Sequence, residues 1–541
     1  MSCNIRNIAS EVFCSIIRNL RGHISLFRHY IMPSFTAFSV TWLNRFLNPR
    51  WLWPLLITLN FLLHVPAFPL PPTSIHLWRQ SNTMAVARNF YEEDMNILRP
   101  RVDRRNDSSG VTGMQFPSYE WTVALAYKLL GFHESIPRVL NWLLFLLGCW
   151  GFYRLVELLS GSAALAAAGA WMYSWSPELF YQAANALPDV LALSASVWGL
   201  YFFLRWYQRP QALHFVLALL ATTLGGLTKL QYLVVGVPIA VIVLTDAVRG
   251  RLPWRRLGWL VGFASISVGV TLAWYAYALR LIASSGLADY GLEVRSAASW
   301  HTALAILQDN VVSDVPELLL NFATFGLVLL GMWRLWQERR WRHPWFGALL
   351  AWALALLVYH LLELAQMDHH HYYMLPYVPV LLLVALVGVA WLRRQSRAAA
   401  SAVLLLLLVA QPVLAFIRIV PPRWLHPERG LPAEFGNAVY RQQLRAATPD
   451  SALCVVGPDE SGCINFYFLH KKGFGFNQSD HLLQPAANGQ HYLATCISRG
   501  ARYLYTTDTA VVRHPQVRPY LGQQLRQVGS MGVWRLHPKA E

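Results

Sequence analysis

The feature that most limits what this chain can fold into is a recurrence of apolar runs, each about as long as a bilayer is thick. A helix crossing the hydrocarbon core needs roughly 20 mostly apolar residues. About eleven stretches meet that length, at 51–69, 138–158, 162–180, 187–205, 211–227, 231–248, 257–280, 318–336, 345–363, 372–391 and 399–419. The chain therefore reads as a polytopic α-helical membrane protein. Composition agrees, because only 13% of its residues are charged, against about 25% in ordinary soluble domains.

A net charge of +17 raises the question of a nucleic-acid partner. The arginines answer it, since they sit in short clusters between apolar runs and form no basic stripe with interleaved aromatics. One set of alternate loops holds Arg205 and Arg209, then Arg249, Arg251, Arg255 and Arg256. It continues with Arg334, Arg339, Arg340 and Arg342, then Arg393, Arg394 and Arg397. The other set holds Lys229 alone between the fifth and sixth runs, and nothing basic in ELAQMDHHHYY. Basic loops stay in the cytoplasm, which predicts an N-terminus inside and a C-terminus outside. Residues 1–50 carry six arginines, one acid and no small-residue cleavage site, so they read as a basic cytoplasmic leader. Met32 offers a shorter start.

The expected organisation is a leader over 1–50, a membrane domain over 51–420 and a soluble extracytoplasmic domain over 421–541. The membrane domain includes a polar external loop, 70–137, and a second one near 281–317. In the soluble part, PAEFGNAVYRQQLRAA and QHYLATCISRG read as helices, and SALCVVG and ARYLYTT as strands, which predicts a small α/β domain. No internal repeat of the inverted-repeat transporter kind is visible. The six cysteines, at 3, 14, 149, 454, 463 and 496, have no zinc-binding spacing. An external location permits a disulfide among Cys454, Cys463 and Cys496, and equally an unpaired buried thiol.

With that orientation the unusual polar residues gather on one face. HLWRQSNTMAVARNF brings Trp78, Arg79, Gln80 and Asn82 to the external end of the first run. YQAANALPDVLAL puts Asn185 and Asp189 at the external start of the fourth, and GLTKLQYL puts Lys229 and Gln231 at the next external turn. QMDHHHYYMLP adds Asp368, His369, His370, His371, Tyr372 and Tyr373. Ionisable residues near membrane segments are costly and mark a functional site by default. Each also has a plain structural alternative. Asn82 suits a helix N-cap, with Met84, Ala87 and Tyr91 at interfacial-helix spacing. Asp189 can cap the fourth span after Pro188, and Lys229 can snorkel to the head groups. The histidines can form an interfacial cluster, and Trp78 and Tyr373 suit an aromatic belt.

Outside a bacterial cell no soluble nucleotide-sugar is at hand, whereas a donor anchored in the bilayer is. Cleavage of a polyprenyl-phosphate sugar leaves extra negative charge on the phosphate, which Lys229 and Arg79 can stabilise as it develops. Backbone N–H groups of a helix starting near Asn82 would add donors for the same anion. A carboxylate must then deprotonate the acceptor hydroxyl or orient it, and Asp189 and Asp103 are the candidates.

In order, WRQSNTMAVARNFYEE, NILRPRVD, GMQFPSYEWTVALAYKLLGFHESIPRVLN, NALPDVLAL, TKLQYL and HHYYMLP resemble the membrane-embedded C-type glycosyltransferases. The likeness is to the bacterial branch related to protein O-mannosyltransferases and the aminoarabinose transferase of lipid A, over most of 51–420. It implies the C-type fold, a first external loop of helices lying on the membrane, a cavity opening to lipid and a polyprenyl-phosphate sugar donor. It implies a carboxylate where Asn82 stands and another where Gln115 stands. Both amides keep hydrogen bonding but lose charge and basicity. The residues name no cofactor, and the loss of two acids weakens the case for a divalent metal. Asp103 and Asp189 match the family and remain.

The expected function is therefore an inverting-type glycosyl transfer at the outer face of the cytoplasmic membrane, to a glycan, lipid or protein acceptor. Asp189 and Asp103 are the candidate catalytic acids, and Arg79, Asn82, Gln115, Lys229, His371 and Tyr372 the candidate substrate contacts. A binding protein that holds lipid-linked sugar without transferring it is the alternative that the two amides favour. A transporter or flippase would spread its polar residues through the bilayer depth, and here they collect at one side.

Overall fold

The computed structural model describes residues 48–287, 294–337, 344–427, 431–485 and 491–538. Most of the basic leader lies outside the described residues, as do Arg339, Arg340, Arg342, Cys3 and Cys14.

Each expected apolar run coincides with a helix. Among the described residues, seven helices are long and apolar enough to cross a membrane alone. They are Ser135–Ser160, Asp189–Gln208, Leu230–Val248, Trp254–Ser285, Trp345–Leu362, His371–Gln395 and Arg397–Trp424. The other runs fold as the shorter helices Pro49–His64, Ala163–Ser174, Ala212–Thr228 and Phe322–Gln337. Phe322–Gln337 meets Trp300–Leu319 at a bend of 113°, so much of the expected second loop is helical.

Local chemistry sets the ends. Asn48 accepts a hydrogen bond from the Arg50 amide just before Pro49–His64, and Ser162 and Ser396 do the same for the Leu165 and Ala399 amides of their helices. Gly161, with φ +63, closes Ser135–Ser160 in the left-handed conformation. Trp254–Ser285 leaves Leu257, Trp259, Val261, Ile266, Val268 and Leu272 exposed along its length, as a helix whose solvent is lipid does. Helix backbones approach closely where side chains vanish. A Cβ on Gly331 would lie 2.0 Å from the Val384 carbonyl oxygen, and one on Gly388 would lie 2.6 Å from that of Leu327.

The C-terminal part carries one five-stranded sheet in the order β2-β1-β3-β5-β4. Its strands are β1 (Leu453–Gly457), β2 (Lys472–Gly475), β3 (Tyr503–Thr506), β4 (Leu521–Val528) and β5 (Met531–Leu536). β1 pairs parallel with β2 and β3, and β5 pairs antiparallel with β3 and β4. The helix expected over 432–447 is split at Asn437, whose side chain caps Ala438–Arg445. Cys149, Cys454, Cys463 and Cys496 are buried free thiols.

This sheet sits on part of 70–137, the loop expected to be external. Met84 and Ala85 of the Leu77–Glu92 helix join Phe435, Phe466, Tyr467 and Val533 in one apolar cluster. Residues 103–106 lie along β2, where the Gly473 amide donates to the Asp103 carbonyl (3.1 Å) and the Arg105 amide to the Gly473 carbonyl (2.8 Å). An edge strand that would otherwise present open backbone groups is thereby covered. The Leu77–Glu92 helix mixes polar and apolar residues and is buried from Arg79 to Phe90, with protein packed around it.

Candidate active site

The Leu77–Glu92 helix begins six residues, nearly two turns, earlier than an Asn82 cap would require. Its N-cap is His76, held at φ 66, so Asn82 lies inside the helix, 2% exposed. The expected amide donors therefore belong to the turn that starts at Leu77 and carries Arg79. Arg79 is also buried, and its Nη2 donates to Gln115 Oε1 at 2.7 Å. Gln115 Nε2 in turn donates to Glu120 Oε1 at 3.4 Å.

Asp189 is the first residue of Asp189–Gln208, after a Pro188 cap that offers no side-chain acceptor. Its carboxylate makes no capping bond. It is fully buried, with Oδ1 3.3 Å from Lys229 Nζ and neither oxygen in a well-aligned hydrogen bond. Lys229 does not snorkel. It stands at the break between Ala212–Thr228 and the 3₁₀ turn Leu230–Val235, 7% exposed. Its ammonium lies 5.1 Å from the centre of the Tyr372 ring and 4.9 Å from that of Tyr373. These two rings thus face a cation rather than a lipid belt.

His76 packs edge-on against Tyr372 at 4.8 Å and beside His370 at 5.8 Å, and Trp78 meets the same His370 at 5.8 Å. Burial holds the His76 imidazole well below its ordinary range, helped by the charges of His370, His371, Arg423 and Lys229. Burial holds His370 at about 4. Both rings are neutral near pH 7, so the positive charge of the cluster comes from Arg79, Lys229 and Arg423. His371 stands at the margin, its Nε2 3.8 Å from Asp314 Oδ1.

Asp103 is held elsewhere. Its carboxylate takes a 2.6 Å ion pair from Arg88 and a 2.9 Å hydrogen bond from the Asn89 side chain, all three residues being buried. Arg88 also donates to the Tyr467 carbonyl of the C-terminal domain.

Arg79, Gln115, Asp189, Lys229 and Tyr372 are thus brought together, with His371 at the edge and Asp103 in a separate buried pair. Sequence reasoning passed over Glu120. It is 1% exposed, Oε2 has no partner, and burial pushes it up to about 7 against the pull of Arg79, Gln115 and Lys229. The available signal was a single acid inside the apolar helix SYEWTVALAY. Among the described residues no group of three or more His, Cys, Asp or Glu side chains has metal-binding geometry. With amides at 82 and 115, this donor set does not fit a divalent cation.

The sequence model of the dolichyl-phosphate-mannose-protein mannosyltransferase family matches residues 115–274. No curated protein matches the chain. Apo ArnT from Cupriavidus metallidurans superposes with a TM-score of 0.59 at 14% identity, over 89% of this chain and 97% of that one. The same protein bound to undecaprenyl phosphate gives 0.59 at 15% identity with the same coverage. The Archaeoglobus fulgidus oligosaccharyltransferase superposes with 0.54 at 12% identity, over 87% of this chain and 71% of its own. Residues 115–274 thus resemble the dolichyl-phosphate-mannose-protein mannosyltransferase family, and the chain as a whole shares the fold of ArnT and of the archaeal oligosaccharyltransferase.

Proposed function

We propose that this protein is a glycosyltransferase of the bacterial cytoplasmic membrane, moving a sugar from a polyprenyl-phosphate donor to an acceptor at the outer face. The observation that carries this reading is the buried Asp189–Lys229 pair beside Arg79, in a fold shared with an ArnT solved with undecaprenyl phosphate. Two cations in a site of low dielectric favour a phosphate whose negative charge grows as the sugar departs. In an inverting displacement, the acceptor oxygen bonds to the anomeric carbon as the carbon–oxygen bond to phosphate breaks. The bonding pair leaves with the polyprenyl phosphate, and the acceptor proton passes to a base.

In this reading Lys229 and Arg79 clamp the phosphate, and Asp189 holds Lys229 in place and orients the acceptor. Asn82, Gln115 and Tyr372 line the sugar side, with His371 at the rim. Asp103 serves the frame that carries Arg79, because its carboxylate is already engaged by Arg88 and Asn89. The test is Asp189→Asn in purified protein, with release of polyprenyl phosphate as the readout. Transfer is expected to fall at least about a hundredfold with the fold retained, since a buried lysine loses its counter-charge. Full activity would remove Asp189 from the mechanism.

The two amides favour one other reading, a relative that binds lipid-linked sugar without transferring it. Transfer present in Asn82→Asp/Gln115→Glu and missing from the wild type would establish that reading instead.

A further inference from the structure

Gln115 stands where the family likeness implies a glutamate, yet the structure returns a carboxyl group to its side. Glu120 lies in the first turn of Ser118–Leu130, five residues after Gln115. The chain between them turns at Pro117, so the Glu120 side chain comes back towards Gln115 and accepts from its Nε2 at 3.4 Å. Gln115 is itself gripped by Arg79. The three side chains form one relay, Arg79 to Gln115 to Glu120, reaching from the helix that carries the cation to the helix that carries the acid.

A buried carboxyl group with a free oxygen is costly unless it has work to do. Glu120 is 1% exposed and its Oε2 finds no partner. A residue kept only for packing would favour an amide or an apolar side chain here, because no arginine or lysine forms an ion pair with it among the described residues. The charged and titratable groups facing it are Arg79 on Leu77–Glu92, Lys229 at the break after Ala212–Thr228, and Tyr119 on its own helix. Asp189 lies beyond Lys229 and is committed to it.

We propose that Glu120 is the general base of the transfer, a carboxylate displaced along the chain from the position that now holds Gln115. The inference rests on the transferase reading above and assigns the proton that reading leaves on the acceptor. Glu120 Oε2 takes the hydroxyl proton as the acceptor oxygen forms its bond to the anomeric carbon. The pair from the broken carbon–oxygen bond goes to the phosphate held by Lys229 and Arg79. Gln115 is the positioning residue, fixing the carboxyl through one oxygen while the other stays open. Burial pushes Glu120 up to about 7, which suits a base working near neutral pH. Asp189 is paired with Lys229 and holds that cation instead.

The experiment compares wild type, Glu120→Gln and Gln115→Glu/Glu120→Gln in nanodiscs. Donors are a panel of polyprenyl-phosphate hexoses and pentoses, a cell-envelope extract supplies acceptors, and released polyprenyl phosphate is read by mass spectrometry. Undecaprenyl phosphate binding is measured on each protein. Glu120→Gln is expected to lose about a hundredfold or more in kcat, the usual scale for a general base. Its KM and its undecaprenyl phosphate affinity should stay close to wild type. The double variant, which returns the acid to position 115, should regain a large part of kcat with a shifted pH profile. Wild-type kcat in Glu120→Gln overturns the proposal while the transferase reading stands. A wild type that binds undecaprenyl phosphate but transfers nothing overturns both. Should Glu120→Gln fail to fold, Glu120→Asp decides, since an unchanged kcat and pH profile in that folded variant also overturns the assignment.

Discussion

Two buried acids of the first loop carry opposite fates. Asp103 is saturated by Arg88 and Asn89, whereas Glu120 has an unused oxygen. Removing one member of a buried ion pair strands the other, at about 3–5 kcal/mol. Asp103→Ala should therefore lower the thermal midpoint of the purified protein by several degrees, and an unchanged midpoint would return Asp103 to the candidate bases. Glu92 gives a residue-scale prediction in pH. Burial pushes its carboxyl up, but the hydrogen bond from His470, with the charges of Arg88, His470 and Lys472, overcomes burial and holds it at about 2. A carboxyl depressed on folding stabilises fully above its unfolded value, near 4.5, and that contribution fades as pH falls towards 2. Because Glu92 joins the loop helix to the C-terminal domain, proteolytic release of that domain should accelerate across this window. A flat rate would mean that the contact holds nothing together. Residue identities predicted some of this and not the rest. Asp189 and Lys229 were legible because a charge beside a membrane run is rare, whereas a lone acid such as Glu120 on a short helix reads as a solvated one.

At the scale of elements, solvent decides what can be read. The apolar runs were legible because a span must be long and apolar, and each one coincides with a helix. β1 and β3 were legible as short apolar strands. β2 is the glycine-rich KGFG, and β4, LGQQLRQV, is polar and largely exposed, so neither carries a strand pattern. The Leu77–Glu92 helix is the instructive case. Its polar residues suggest one wet face, yet it is buried because Met84 and Ala85 pack into the C-terminal domain while Arg79, Arg88 and Asn89 find polar partners in the first loop and in that domain. Helix crossings depend on absent side chains that periodicity does not reveal. Gly331→Leu should separate Phe322–Gln337 from Val378–Gln395, since even a Cβ would meet the Val384 carbonyl oxygen at 2.0 Å. The expected cost exceeds the usual overpacking penalty of about 1–3 kcal/mol, readable as a lowered thermal midpoint, and a tolerated leucine would mean that the helices can slide.

For the whole molecule, the arginine asymmetry predicts that the sheet-bearing face and the cluster around Lys229 lie outside the cytoplasm. A single cysteine at exposed Gln516 should react with a membrane-impermeant maleimide on spheroplasts, and one at exposed Gln208 only after lysis. The described native cysteines are buried, so a background lacking Cys3 and Cys14 gives a clean reading. The reverse labelling pattern would invert the topology. The seam between residues 103–106 and β2 also has a consequence in time. A ribosome delivers residues 103–106 some 370 residues before it delivers Gly473. Until Gly473 has joined residues 103–106, Met84, Arg88 and Asp103 lack part of their packing. The helix that aims Arg79 is therefore finished late, and a nascent chain can be fully inserted long before it is competent to act.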